Sequence, residues 1–420
     1  MINHYSKLLY LLDETSKKIH KFRKITIFLF FSIIFIIGFS SVKDFGATND
    51  EYTQRLKGFI TLNYLGEKFI PKLTKKFRGD KEFPTFENVP DHLRYYGGTI
   101  IHTPLAFLEI IFDIKDKKDI FLFKHYFLFF IFFISLISFF SICNYRFSNW
   151  KYGILGVLIL FLSPRIFANS IYNNLDIPFM SFMIFSLNYG LSLLKKINLK
   201  NIILFSFFSA IAIDIRLMGI IMPFIIVFIL FLNTIMKTKN YKNFFLSAFY
   251  IMILTFSFVI IMWPMLWENP IINLINVFNN LANFPLTGYN LYLGSLVPIS
   301  ETPWHYMPIW ILATTPLTYS FIFLIGVVKF TNDIFHKKNI DLFLKDLTFI
   351  LIFFSPILAI ITLNSSLYDG WRHLYFIYPC FVILGLIGIE WVFKTIKNNK
   401  LYYLIQFIIY FHYLILAIGW

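Results

Sequence analysis

The chain has 420 residues, of which 58% are hydrophobic, 21% aromatic and only 15% charged, with a net charge of +15. No soluble domain of this length needs so much apolar side chain, so a water-soluble enzyme or binding module is excluded and an integral membrane protein is indicated. The basic excess then reads as loops facing the cytoplasm and anionic lipid, with no nucleic acid implied.

Residues 1–24 hold no short apolar stretch with a small-residue cleavage site, and Lys17, Lys18, Lys21, Arg23 and Lys24 keep this segment in the cytoplasm. The apolar run at 25–42 is therefore predicted to be a retained span, and 25–420 one polytopic domain. Further spans are predicted near 120–143, 151–163, 177–194, 201–213, 217–235, 243–263, 307–329, 347–363, 373–393 and 401–418. Together they give an all-α fold of about eleven transmembrane helices, most of them near the roughly 20 residues that cross about 30 Å of hydrocarbon. The 201–235 stretch counts as two spans because lysines flank it on both sides, Lys195, Lys196 and Lys200 before and Lys237, Lys239 and Lys242 after, so the chain turns at "DIRLMG". "NYRFSNWK", "KFTNDIFHKK" and "KTIKNNK" fall on the same cytoplasmic side, and Cys143 and Cys380 read as packing residues.

The segments on the other side are 43–119, 164–176, 214–216, 264–306 and 364–372. In the first, "DEYTQRLKGFITLNYLGEKFI" and "TPLAFLEIIF" are too short or too mixed to span and are predicted as helices lying along the interface; 264–306, rich in Pro, Trp and Tyr, is expected to do the same. These segments also hold the residues that could do chemistry: "TNDEY" after the first span, "SPRIFANSIYNNLDIPF", "DIR", and "YDGWRHLYFIYP". A single charge at an interface costs little and often just ends a helix, but four such clusters on one side point to a shared site. Arg165, Arg216 and Arg372 offer guanidinium forks suited to phosphate oxygens, whereas Asp50, Glu51 and Asp176 could act as base or metal ligand. Asp214 and Arg216 are expected to face outward. An anionic substrate on that side has no access to cytosolic nucleotides, and a polyprenyl phosphate fits.

An acidic pair after the first span, a Pro-Arg loop ending in "NNLDIP", an arginine in the next outer turn, "PWHYMPIWILATTPL" and "RHLYFIYP" together resemble the GT-C glycosyltransferases, closest to the protein O-mannosyltransferase and aminoarabinose transferase branch. The resemblance covers most of the chain and rests on the order and sidedness of short motifs. It implies inverting transfer of a sugar from a polyprenyl-phosphate donor to a protein, lipid or glycan acceptor at the outer face of the cell membrane. Asp50 would be the general base and the arginines would hold the departing phosphate. Glu51 would orient Asp50 or stand as a solvated neighbour; Asp176 matches the branch's second acidic position, where metal or acceptor contacts are made; and His373, next to Arg372, would touch phosphate. No cofactor is implied beyond a possible divalent metal at Asp176. Many members continue with a periplasmic domain or more spans, whereas this chain stops at "LILAIGW", which reads as a minimal or shortened member.

His102, His125 and His305 read equally well as interfacial residues bonding backbone carbonyls, Trp304 and Tyr306 as an aromatic belt, and Tyr172, Asn173 and Asn174 as helix caps. Two other functions fit the same composition: a transporter or flippase for a lipid-linked anion, and a non-catalytic assembly subunit. Against the first, no internal repeat is visible and the polar residues crowd one side.

Overall fold

The computed structural model describes residues 2–78, 85, 86, 97–282, 288–336, 339–363, 365 and 367–395. The chain divides into two compact units, Met1–Phe45 and Gly46–Trp420. The first is built on one long helix, α1 (Ile2–Ser41), whose apolar half supplies the first span.

The described part of the second unit is mostly helical. It begins with α2 (Asn49–Phe69), α3 (Pro71–Arg78) and α4 (His102–Ile111), followed by α5 (Lys117–Phe147), α6 (Trp150–Phe161), α7 (Pro164–Tyr172), α8 (Asp176–Lys195), α9 (Leu199–Ile215), α10 (Ile221–Asn233) and α11 (Tyr241–Met262). Then come α12 (Pro270–Ala282), a hairpin of β1 (Tyr289–Tyr292) and β2 (Ser295–Pro298), α13 (Tyr306–Thr314), α14 (Leu317–His336), α15 (Ile340–Thr362), a 3-10 turn (Arg372–Ile377) and α16 (Tyr378–Thr395). Several helices begin on side-chain caps that the sequence supplies. Asp116 accepts from the amides of Lys118 and Asp119, and Asn149, Asn198, Asn240 and Asn339 do the same service for α6, α9, α11 and α15.

Among the described residues, eight helical stretches are long and apolar enough to cross a membrane, and the pair α6 and α7 passes the same test jointly across a 71° bend. The protein is thus a multi-pass membrane protein, but the predicted spans differ in three places. The predicted span at 201–213 is the 17-residue α9, about 25 Å long and shorter than each of those eight stretches. The span expected at 307–329 is broken between α13 and α14, where Pro316 has no amide hydrogen to continue a helix. The span expected at 401–418 lies outside the described residues. Helices do occur where the interfacial ones were predicted, as α2, α4 and α12.

Glycines set the closest helix contacts. A Cβ on Gly326 of α14 would overlap the carbonyl oxygen of Leu384 on α16, and one on Gly388 would overlap the carbonyl of Ile322, so these two backbones touch. Gly58 of α2 lies in the same way against the carbonyl of His102 at the start of α4. The buried thiol of Cys143 packs on Gly156 of α6, and Cys380 is also buried, as their apolar surroundings imply.

Charge is sorted to the two ends of the bundle. At one end Arg146 grips both oxygens of Asp346, with Glu390 at 3.6 Å, and Lys237 binds Asp341 at 2.7 Å. This is the end at which the lysine-rich loops were expected. Asp50, Arg165, Asp176, Arg216 and Arg372 stand at helix starts and ends of the opposite side.

Candidate active site

At that opposite end lies a cavity of about 640 Å³, lined among others by Asp50, Arg165, Asn169, Asn173, Asp369, Arg372 and Tyr375. Its size suits a ligand of tens of atoms. Each wall comes from a different part of the chain: the start of α2, the whole of α7, and the turn before α16.

The α2 wall is fixed by a reciprocal cap. The Thr48 amide donates to Glu51 Oε1 at 2.7 Å, and the other carboxylate oxygen of Glu51 meets His125 Nε2 on α5 at 3.1 Å. Glu51 and His125 are both buried, so Glu51 is not a solvated neighbour. Asp50, one residue earlier, turns the other way: its side chain is 48% exposed, opens on the cavity, and accepts from Arg372 at 2.7 Å. Adjacent acids thus have opposite surroundings, one holding helices together and one reaching the cavity.

Arg372 also contacts Asp369 at 3.0 Å, so two carboxylates balance its charge. Asp369 and Gly370 both have left-handed backbones, with φ of 58° and 70°, and this tight turn aims Arg372 back over the cavity. Gly370 donates its amide to the Tyr306 hydroxyl at 3.1 Å, and Trp371 donates its indole N–H to Thr314 at 2.7 Å, which ties the turn to α13. Tyr306 is buried and therefore supports this turn, while Trp304, 68% exposed, keeps the character of a belt residue.

Arg165 differs from Arg372. It lies over the Trp310 ring at 5.3 Å and against Gly370, and among the described residues it enters no ion pair. It is placed at the start of α7 because the chain breaks there: Ser163 bonds the Tyr378 hydroxyl at 2.7 Å, Pro164 opens the new helix, and α7 turns 71° across the cavity.

Asp176 and Arg216 do not line the cavity, contrary to expectation. Arg216 closes on one oxygen of Asp176 at 2.5 Å, and Asn173 donates to the other at 3.0 Å. Asp176 is buried, and a buried carboxylate needs such partners, so the pair sits behind the wall as a brace. Both oxygens being engaged, Asp176 is poorly placed for the metal role considered for it, and among the described residues no group of three or more His, Cys, Asp or Glu converges to hold a metal. His373 is likewise outside the cavity lining, edge-on to the Tyr368 ring at 4.6 Å.

The expected outward-facing Asp214 is fully buried as well. It accepts the Ile100 amide at 3.0 Å, and Gly98 lies directly on its carboxylate. Nearby, Lys57 donates to the Gly97 carbonyl at 3.1 Å, and burial pushes its ammonium down to about 8. His102 is buried against α2, and His305 meets the Tyr292 hydroxyl at 2.5 Å. Neither lines the cavity.

The sequence reading missed Asn169, Tyr375 and Asp369 as cavity residues. A hydrogen-bonded run leads from Tyr375 to Asn169 at 3.3 Å, on to Asn173 at 3.0 Å and then to Asp176. Asn173 does cap α8 as foreseen, accepting the Asp176 amide at 2.8 Å, but its amide group also belongs to this wall. The signal was the density of asparagine in "ANSIYNN", more than caps alone require.

No known family model matches the sequence, and no curated protein does. Among solved structures the chain is similar to the crystal structure of ArnT from Cupriavidus metallidurans bound to undecaprenyl phosphate, with a TM-score of 0.53 and 12% identity across 91% of this chain. It spans 62% of that chain's length. The likeness is one of fold.

Proposed function

We propose that this protein is a membrane glycosyltransferase that moves a sugar from a polyprenyl-phosphate donor to a hydroxyl-bearing acceptor, with the cavity facing the exterior of the cell. The observation that carries the reading is the pairing, in one cavity at the end of the helix bundle, of a half-exposed carboxylate, Asp50, with an arginine, Arg165, that forms no ion pair among the described residues. An unbalanced guanidinium at that level suits the phosphate of a lipid whose tail stays in the bilayer. The fold shared with a protein crystallised with undecaprenyl phosphate supports the same class of donor.

The acceptor oxygen attacks the anomeric carbon and its proton passes to Asp50. The bond from that carbon to the phosphate oxygen breaks, and its electron pair leaves on polyprenyl phosphate. Arg165 and Arg372 stabilise the charge growing on the leaving oxygens. One displacement inverts the anomeric centre. Asn169, Asn173 and Tyr375 offer amide and hydroxyl groups to sugar hydroxyls, and Asp176 with Arg216 braces that wall from behind.

The test is purified protein in micelles with a polyprenyl-phosphate hexose and an acceptor alcohol, following release of polyprenyl phosphate. Arg165→Ala should weaken donor binding roughly 10- to 150-fold, the range for one hydrogen bond to a charged group. Donor that binds the variant as tightly as the unchanged protein would remove the basis for this reading.

A further inference from the structure

The stretch from Asn269 to Ser300 contains no charged residue, although it connects two spans and lies outside both. Water-facing connections of that length carry charge as a rule, because exposed apolar surface costs free energy. Within this stretch α12 turns Ile271, Ile275 and Phe278 outward at 67%, 53% and 58% exposure, while Val277 packs inward on Trp263 and Leu266. The spacing of three and four residues puts the exposed side chains on one stripe of the helix.

The hairpin that follows repeats the pattern in strand form. Asn290 and Tyr292 face inward, and Tyr289 and Leu291 face out at 69% and 68% exposure. Leu296, across the ladder, is 70% exposed. The two-residue tip is Leu293-Gly294, both with positive φ, 49° and 84°. Tips of this geometry favour asparagine, aspartate or glycine, and a leucine held there in a left-handed conformation is strained. That side chain is 70% exposed and gains little from packing against the described residues.

The hairpin is nonetheless firmly held. Asn290 donates to the Leu367 carbonyl at 2.7 Å, Thr302 donates to the same oxygen at 3.2 Å, and Tyr306 bonds both Asn290, at 3.4 Å, and the Gly370 amide. Leu367 and Gly370 follow the cavity end of α15, so the hairpin stands at the level where spans leave the bilayer.

We propose that the β1–β2 hairpin is a lipid-contact element, seating Leu291, Leu293 and Leu296 among the phospholipid chains at the membrane interface and bracing the Asp369–Arg372 turn at that depth. Lipid is favoured over a protein partner by composition. Exposed tyrosine at the hairpin and exposed tryptophan at Trp304 are the residues that accumulate at membrane boundaries, and the first charged residues, Glu268 and Glu301, come only at the ends of the stretch. The inference concerns the surroundings of the hairpin and stands whether or not the protein transfers sugars.

Cys143 and Cys380 are buried, so a cysteine introduced on the hairpin is the accessible thiol among the described residues. Leu293→Cys, Leu296→Cys and, as the aqueous reference, Glu301→Cys would each be spin-labelled in phosphatidylcholine nanodiscs. Power saturation would then compare collisions with oxygen, which concentrates in lipid, and with a water-soluble nickel chelate. The expected result is oxygen-dominated collision at 293 and 296 and nickel-dominated collision at 301. Nickel access at 293 and 296 equal to that at 301 would overturn the proposal and leave the leucines as a surface for a protein partner. Two hairpin positions guard against one label disturbing the tip.

Discussion

The opposite surroundings of Asp50 and Glu51 lead to a double dissociation between chemistry and stability. Asp50→Asn keeps the shape and a hydrogen bond to Arg372 but removes the proton acceptor. General base catalysis contributes about 10²- to 10⁴-fold, or about 2.7–5.4 kcal/mol at 1.36 kcal/mol per decade. The cost in stability is small, because a pair with one carboxylate 48% exposed is worth about 1 kcal/mol or less and Arg372 keeps Asp369. Glu51→Gln should do the reverse. Its amide oxygen can still accept from Thr48, but the NH₂ group then faces His125 in a buried site where a carboxylate oxygen had been. To accept from that NH₂, His125 must move its proton to Nδ1, which is buried without a partner among the described residues, so one buried group is left unpaired at about 1–3 kcal/mol. Polyprenyl phosphate release measures the first quantity, and thermal unfolding in the same micelles measures the second. Glu51→Gln with an unchanged melting point and a turnover as low as Asp50→Asn would refute the assignment of roles.

Arg372→Ala should lower both donor affinity, roughly 10- to 150-fold by titration with polyprenyl phosphate, and turnover, since the charge acts before and during bond breaking. For Lys57, pushed down to about 8 by burial, the cost of holding a buried ammonium is fully present below that pH and fades as pH rises toward the ordinary 10.5. Melting curves of the wild type should therefore gain stability from pH 8 to 10 relative to Lys57→Met, and parallel curves would show that Lys57 is not the source. Gly98→Ala, which drives a methyl group onto the Asp214 carboxylate, should cost about 1–3 kcal/mol in chemical denaturation. Impermeant thiol reagents on intact cells should label Glu301→Cys and spare Lys239→Cys, and the opposite pattern would reverse the proposed orientation.

Two-sidedness was legible because it is written in local composition: lysines mark one end of each helix pair, and the Lys237–Asp341 and Arg146–Asp346 contacts lie where those lysines crowd. Asp50, Arg165 and Arg372 could be found for the same reason, each being an interfacial charge beside a helix end. The roles of Asp176 and Arg216 could not, since their mutual neutralisation depends on α8 and the end of α9 meeting in space, and a sequence shows charges without their partners. Glu51 illustrates the same limit, its place being decided by His125, 74 positions away. Proline announced the break at Pro164, whereas the 71° turn it makes, which swings α7 across the cavity, follows from tertiary packing.

The close approach of α14 and α16 has a consequence for the cavity. Arg372 stands in the 3-10 turn that leads into α16, whose backbone leaves no room for a methyl group against α14, and Asp50 stands on α2, whose Gly58 is likewise pressed against the start of α4. The contact between Asp50 and Arg372 is thus mounted on two closely packed frames, and a change in the seating of either frame shifts one of its partners. Gly326, buried and away from the cavity lining, therefore helps set the reach of Arg372, and even an alanine there would shift that side chain by wedging two backbones apart.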